Sequence, residues 1–159
     1  MKWSPRFFRA LAWCALFISA AAAPFILFAG LEGRADIARG FTVTVVLGVF
    51  LGGVTLAGTR KVHSPAGASA ALRLALFGWL LSPLLAAPPL VAATGSLPRG
   101  VFEAFSALTT TGAITLSPEA AGVSITLWRC VLAWLGGYAT LLLAIAVFAA
   151  LDRDVPAIR

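Results

Sequence analysis

Phe102-Glu103-Ala104-Phe105-Ser106-Ala107-Leu108-Thr109-Thr110-Thr111-Gly112-Ala113-Ile114-Thr115 lies between two long apolar runs. It reads as a short helix that stops at a polar, glycine-containing strand. Non-helical backbone at bilayer depth survives only where protein buries it or where it lines a watery path. A half-membrane helix followed by Thr-Thr-Thr-Gly is the pattern expected of an ion-selectivity loop.

The flanks support that reading. Ser96 is placed as an N-cap and Pro98 falls in the first turn, where its missing N–H does little harm. A helix over 97–108 is about 18 Å long, enough to dip into a bilayer and too short to cross it. Three β-branched threonines then disfavour further helix, and Gly112 tolerates positive φ. Ser117-Pro118-Glu119 turns the chain outside.

The rest of the chain is written for lipid. Of 159 residues, 60% are hydrophobic and 11% charged; a soluble domain of this size needs more polar surface. Four stretches carry no charged residue, at 10–31, 41–59, 74–98 and 130–151. Each approaches or exceeds the roughly 20 residues a spanning helix requires. The expected helices are 8–29, 41–56, 72–87 and 125–151, with outer loop 30–40, inner loop 58–71 and the short helix between the third and fourth. Pro24 is expected to kink the first, Gly48, Gly52 and Gly53 to let the second approach a neighbour closely, and Pro88-Pro89 to close the third. The fold class is all-α integral membrane: four transmembrane helices with a re-entrant pore helix and filter loop. Residues 1–71 form an N-terminal helix pair with a basic inner loop, and 72–159 a helix–pore loop–helix unit. A basic start, the run 11–20 and Ala20-Ala21-Ala22-Ala23 also fit a secretory signal, but the apolar run continues through Phe25-Ile26-Leu27-Phe28 and is read as a span.

The net charge of +6 has a direction. With the N-terminus cytoplasmic, Lys2, Arg6, Arg9, Arg60, Lys61, Arg73, Arg153 and Arg159 fall inside, against Arg34, Arg39, Arg99 and Arg129 outside. That bias obeys the positive-inside rule, which sets both termini on the cytoplasmic side; the expected location is the inner (plasma) membrane. Asp152 and Asp154 fall inside; Glu32, Asp36, Glu103 and Glu119 fall outside. No basic cluster with interleaved aromatics points to nucleic acid. Cys14, Cys130 and His63 show no metal-ligand spacing, no nucleophile–base pair or phosphate motif points to an enzyme, and no cofactor is expected. His63 reads as a solvated loop residue, Arg73 as a residue that snorkels inward, and Trp3 and Trp128 as interfacial anchors.

Leu72-Arg73, Trp79, Ala86-Ala87-Pro88, Phe102-Glu103-Ala104, Thr109-Thr110-Thr111-Gly112-Ala113, Leu127-Trp128-Arg129 and Trp134-Leu135-Gly136-Gly137 stand in the order expected of Trk/Ktr/HKT potassium transporters, which the chain resembles along its whole length. Such proteins have four consecutive helix–pore loop–helix units, and Trk-type members add two helices in front. This chain resembles those two helices and the first unit; at Tyr138-Ala139-Thr140 it departs from the family, which usually has a further glycine there. The resemblance implies a filter at Thr109, Thr110, Thr111, Gly112 and Ala113, with backbone carbonyls of Thr110, Thr111 and Gly112 on the potassium ion. Glycine at position 112 goes with potassium preference in the family, where serine in some units goes with sodium.

Glu103 reads either as a carboxylate facing the outer solvent or as a buried one that steadies the pore helix and pairs with Arg129, which could instead snorkel outward; Gly136 and Gly137 read as a packing face or a flexible point. One filter segment cannot enclose an ion, so conduction requires a closed oligomer, most simply a homotetramer. The alternatives are a heteromeric pore completed by other polypeptides, or a non-conducting assembly partner or remnant. The resemblance also implies a nucleotide-binding cytoplasmic regulator as partner, besides membrane lipid.

Overall fold

The computed structural model describes residues 5–59 and 68–154. Trp3 and His63 lie outside the described residues, and the Arg73 side chain outside the described side chains. Six helices follow one another: α1 (Pro5–Leu31), α2 (Ala35–Gly58), α3 (Ala68–Ala86), α4 (Pro88–Thr94), α5 (Leu97–Leu108) and α6 (Pro118–Asp154). No strand occurs among the described residues, so the polar segment after α5 is a wound loop rather than the strand expected. α1, α2 and Ala121–Ile145 of α6 are each long and apolar enough to cross a membrane. Leu76–Ala86 and Pro88–Thr94, bent by 50°, make a fourth span if counted together. Exposed side chains such as Phe17, Val46, Phe50, Leu141 and Phe148 are apolar. That is a surface for lipid, and the chain is an α-helical membrane protein.

α1 and α2 form an antiparallel hairpin with a much shorter turn than the 30–40 loop expected. α1 runs through Pro24 to Leu31. Gly33, at φ +72°, then reverses the chain, the Gly33 N–H bonding the Gly30 carbonyl and the Arg34 N–H the Ala29 carbonyl. That double closure satisfies carbonyls a helix end leaves open. Asp36 favours the N-terminal turn of α2, and the buried Ile37 and Phe41 anchor that helix from its start. Gly48 and Gly52 pack against Ser19 and Leu16 of α1, whereas Gly53 faces open space.

Pro88-Pro89 does not end the chain's helical course. The prolines open α4, where their fixed φ suits a first turn, and Ala87 carries the bend. The break leaves carbonyls without helical partners, since Leu85 would bond the N–H that Pro89 lacks. Thr44 of α2 donates its hydroxyl to the Leu85 carbonyl (3.1 Å), and Trp128 of α6 donates Nε1–H to the Ala86 carbonyl (3.2 Å). Trp128 is fully buried and packs edge-on against Phe25 and Phe41, each with ring centroids 5.6 Å away. It is therefore a core residue and not the interfacial anchor expected. Buried, its indole exchanges headgroup water for an orphaned carbonyl and two aromatic partners. Thr44→Val keeps the shape and removes the donor; it is expected to cost about 1–3 kcal/mol, the penalty for a buried unmet acceptor. The unfolding midpoint in detergent measures it.

Candidate functional site: the 109–115 loop and its supports

α5 spans Leu97–Leu108 as expected from its flanks, but Ser96 caps it with its backbone carbonyl, bonded by the Gly100 N–H, and makes no side-chain cap. The last turn of α5 then organises the loop. Thr109 N–H bonds the Phe105 carbonyl (2.9 Å), and Thr110 N–H bonds that of Ala107 (3.1 Å). Thr111 and Gly112 both aim their N–H groups at the Ser106 carbonyl (3.0 and 3.4 Å). Four consecutive N–H groups therefore turn back into the helix that precedes them. In a planar trans peptide the preceding carbonyl points the opposite way, so those of Thr109, Thr110 and Thr111 face outward. Residues 109–112 are exposed, and among the described residues none of their carbonyls accepts a hydrogen bond.

That arrangement requires backbone of alternating hand. Thr109 sits at φ −79°, Thr110 at +57° and Gly112 at +77°. Gly112 adopts its value freely; Thr110 is the one described non-glycine residue at positive φ. A β-branched residue is strained there and keeps that shape only where its surroundings hold it. The Thr109 hydroxyl bonds the Phe105 carbonyl (2.7 Å) and lies 2.8 Å from the Thr111 hydroxyl.

Ala113 behaves differently from its neighbours. Its carbonyl turns back into the protein and accepts from the Ser106 hydroxyl (2.7 Å) and from Arg129 Nη2 (3.1 Å). Arg129 Nη1 lies 2.8 Å from Oε2 of Glu103, a fully buried carboxylate. Oε2 has no aligned hydrogen bond, its partner being the charge of Arg129. The other carboxylate oxygen, Oε1, accepts from the Thr115 N–H and from its hydroxyl (2.6 Å). Glu103, Ser106 and Arg129 thus grip the return arm of the loop at Ala113 and Thr115. Ser106 and Thr115 were not singled out from sequence. The signal for Ser106 is its place three residues after Glu103, on one face of α5.

The two glycines of α6 separate in role. A Cβ on Gly136 would lie 1.7 Å from the Leu108 carbonyl oxygen, so α6 touches the end of α5 there, while Gly137 has nothing within 4 Å. A groove of about 420 Å³ opens beside the loop, its lining including Thr110, Gly112, Arg129 and Cys130.

Glu32, in the α1–α2 turn, reaches the same region. Lost hydration pushes the carboxyl of this exposed residue up, but the Ser124 hydroxyl, the N–H groups of Ser124 and Val123 and the charge of Arg34 outweigh that and hold it below the usual carboxylate range. It is therefore ionised at neutral pH, as a helix N-terminus favours.

No family model, curated protein or solved structure matches the chain.

Proposed function

We propose that this protein is a subunit of a potassium-conducting channel or transporter, with residues 109–112 supplying one segment of the ion filter. The observation that carries the reading is the inward turn of four successive N–H groups, which leaves the carbonyls of Thr109, Thr110 and Thr111 directed outward from one short wound segment. A potassium ion sheds water only where carbonyl oxygens replace its hydration shell, and those carbonyls need no reorganisation to serve. In this reading α5 is a re-entrant pore helix, and α3 with α4, the loop and α6 make one helix–pore loop–helix unit. Ala113, with its carbonyl committed to Ser106 and Arg129, positions the filter and does not coordinate the ion.

One segment covers one side of an ion path. A ring of four copies about a common axis is the simplest closure. The resemblance to Trk-type transporters, the glycine at position 112 and the charge bias that sets the termini inside support the same reading.

The test is potassium against sodium flux into liposomes holding the purified protein, with Gly112→Asp as control. A Cβ at Gly112 meets open space, and aspartate is among the residues that tolerate left-handed backbone, so the variant is expected to fold and insert. Its carboxylate would sit beside the carbonyls and hold a cation there. Wild-type flux is expected to favour potassium and to fall to the level of empty vesicles in the variant. Flux unchanged by Gly112→Asp would sink the filter assignment.

A further inference from the structure

The turn between α1 and α2 grips α6 on both sides of its irregular residue. Inside α6, Gly122 has non-helical backbone (φ 66°, ψ −179°), dividing the segment that ends at Ala121 from the long helix that begins at Val123. Arg34 donates from Nη1 to the Ala121 carbonyl (2.7 Å), before the break. After it, Glu32 Oε1 accepts the N–H groups of Val123 (2.8 Å) and Ser124 (3.0 Å), and Oε2 accepts the Ser124 hydroxyl (2.6 Å). A Cβ on Gly122 would lie 2.6 Å from Arg34 Nη1, so the guanidinium lies close over the glycine.

The carboxylate is a helix N-cap supplied from another element. The first N–H groups of a helix have no intrahelical partner, and here Glu32 takes two of them from 91 and 92 residues away.

We propose that Glu32 and Arg34 are positioning residues for the 109–115 loop, splinting α6 across Gly122. The return arm of the loop reaches α6 by two routes. One is covalent, through the buried Leu116 and Ala121. The other is the contact of Arg129, in the helix past the break, with the Ala113 carbonyl and Glu103. Rotation at Gly122 moves the first route relative to the second and pulls Ala113 and Thr115 from their partners. Arg34 holds the near side and Glu32 the far side, so the N-terminal hairpin sets the geometry of a loop it does not touch. Only the flux arm of the test rests on the pore reading.

The experiment follows amide hydrogen exchange in the full chain in lipid nanodiscs, alongside the ratio of potassium to sodium flux in liposomes. Glu32→Ala is expected to speed exchange at Val123 and Ser124, and also at Thr115, by about tenfold, as local opening does. The flux ratio is expected to fall severalfold while total flux persists. Glu32→Gln keeps an acceptor for both N–H groups and should restore the exchange rate at Thr115 and the ratio. Faster exchange confined to Val123 and Ser124, with Thr115 and the flux ratio unchanged, overturns the proposal. Should Glu32→Ala fail to insert, Arg34→Met, which has no donor for the Ala121 carbonyl, must itself speed exchange at Thr115, and an unchanged rate there overturns it equally. A wild type without flux would defeat the pore reading alone, since the exchange measurements still decide whether the turn acts on the loop.

Discussion

Arg129→Met is expected to lower the stability of the folded protein by about 3–5 kcal/mol, the penalty for stranding a buried charge whose partner has been removed. The stranded group is Glu103, fully buried, which keeps only Thr115 for company. Arg129 is itself 13% exposed, so the reverse change strands a cation that reaches water more readily. Glu103→Gln keeps an acceptor for Thr115 and should therefore cost less than Arg129→Met. The double variant should recover much of the loss, because the carboxylate that Arg129→Met strands is then neutral. For a chain of this length the single change corresponds to a fall in melting temperature of about 10 °C, read in detergent by thermal unfolding. Equal losses for the two single variants would contradict the assignment of Glu103 as the more deeply buried partner. The loop should respond as well, since Arg129 also bonds the Ala113 carbonyl.

Gly136→Ala is the second large effect. The added methyl meets the backbone of Leu108, with the oxygen at 1.7 Å, the carbonyl carbon at 2.8 Å and Cα at 3.3 Å. No side chain can swing aside, so α6 and the end of α5 must part. Forced overpacking of this kind costs about 3 kcal/mol or more where backbone must shift. Leu108 is the residue before Thr109, so the displacement reaches the loop directly. Gly137→Ala is the matched control: its Cβ meets nothing within 4 Å, and alanine favours helix over glycine by about 1 kcal/mol. The expected pattern is a large loss of thermal stability at 136 and none at 137, measured side by side in one detergent. A neutral Gly136→Ala would mean that α5 and α6 do not approach as closely as described.

The two glycines show where sequence reading stops. Gly136-Gly137 is legible as a packing point, but which of the pair makes the contact depends on the rotation of α6 about its axis. The bounds of α5 were legible because they rest on local chemistry: a proline in the first turn, and three threonines and a glycine at the end. The hairpin turn reads longer from sequence than it is, because Glu32, Arg34, Asp36 and Arg39 delay the charge-free run to residue 41; the burial of Ile37 and Phe41 holds residues 35–40 in helix. Trp128 shows a second limit of local reading. An indole beside an arginine at the end of an apolar run looks interfacial until the orphaned carbonyl of Ala86 is seen across from it.

Composition and spacing alone determined that the chain is a helical membrane protein with a helix too short to span, followed by a polar loop. Hydropathy and local propensity are properties of neighbouring residues, and a bilayer tolerates few other readings of them. Tertiary structure decided the rest: the alternating hand of residues 109–112, the inward Ala113 carbonyl, the pairing of Glu103 with Arg129, and the reach of Glu32 to Ser124 across 92 residues. A buried polar group must find a partner, but nothing in its own stretch of sequence says from how far away that partner comes.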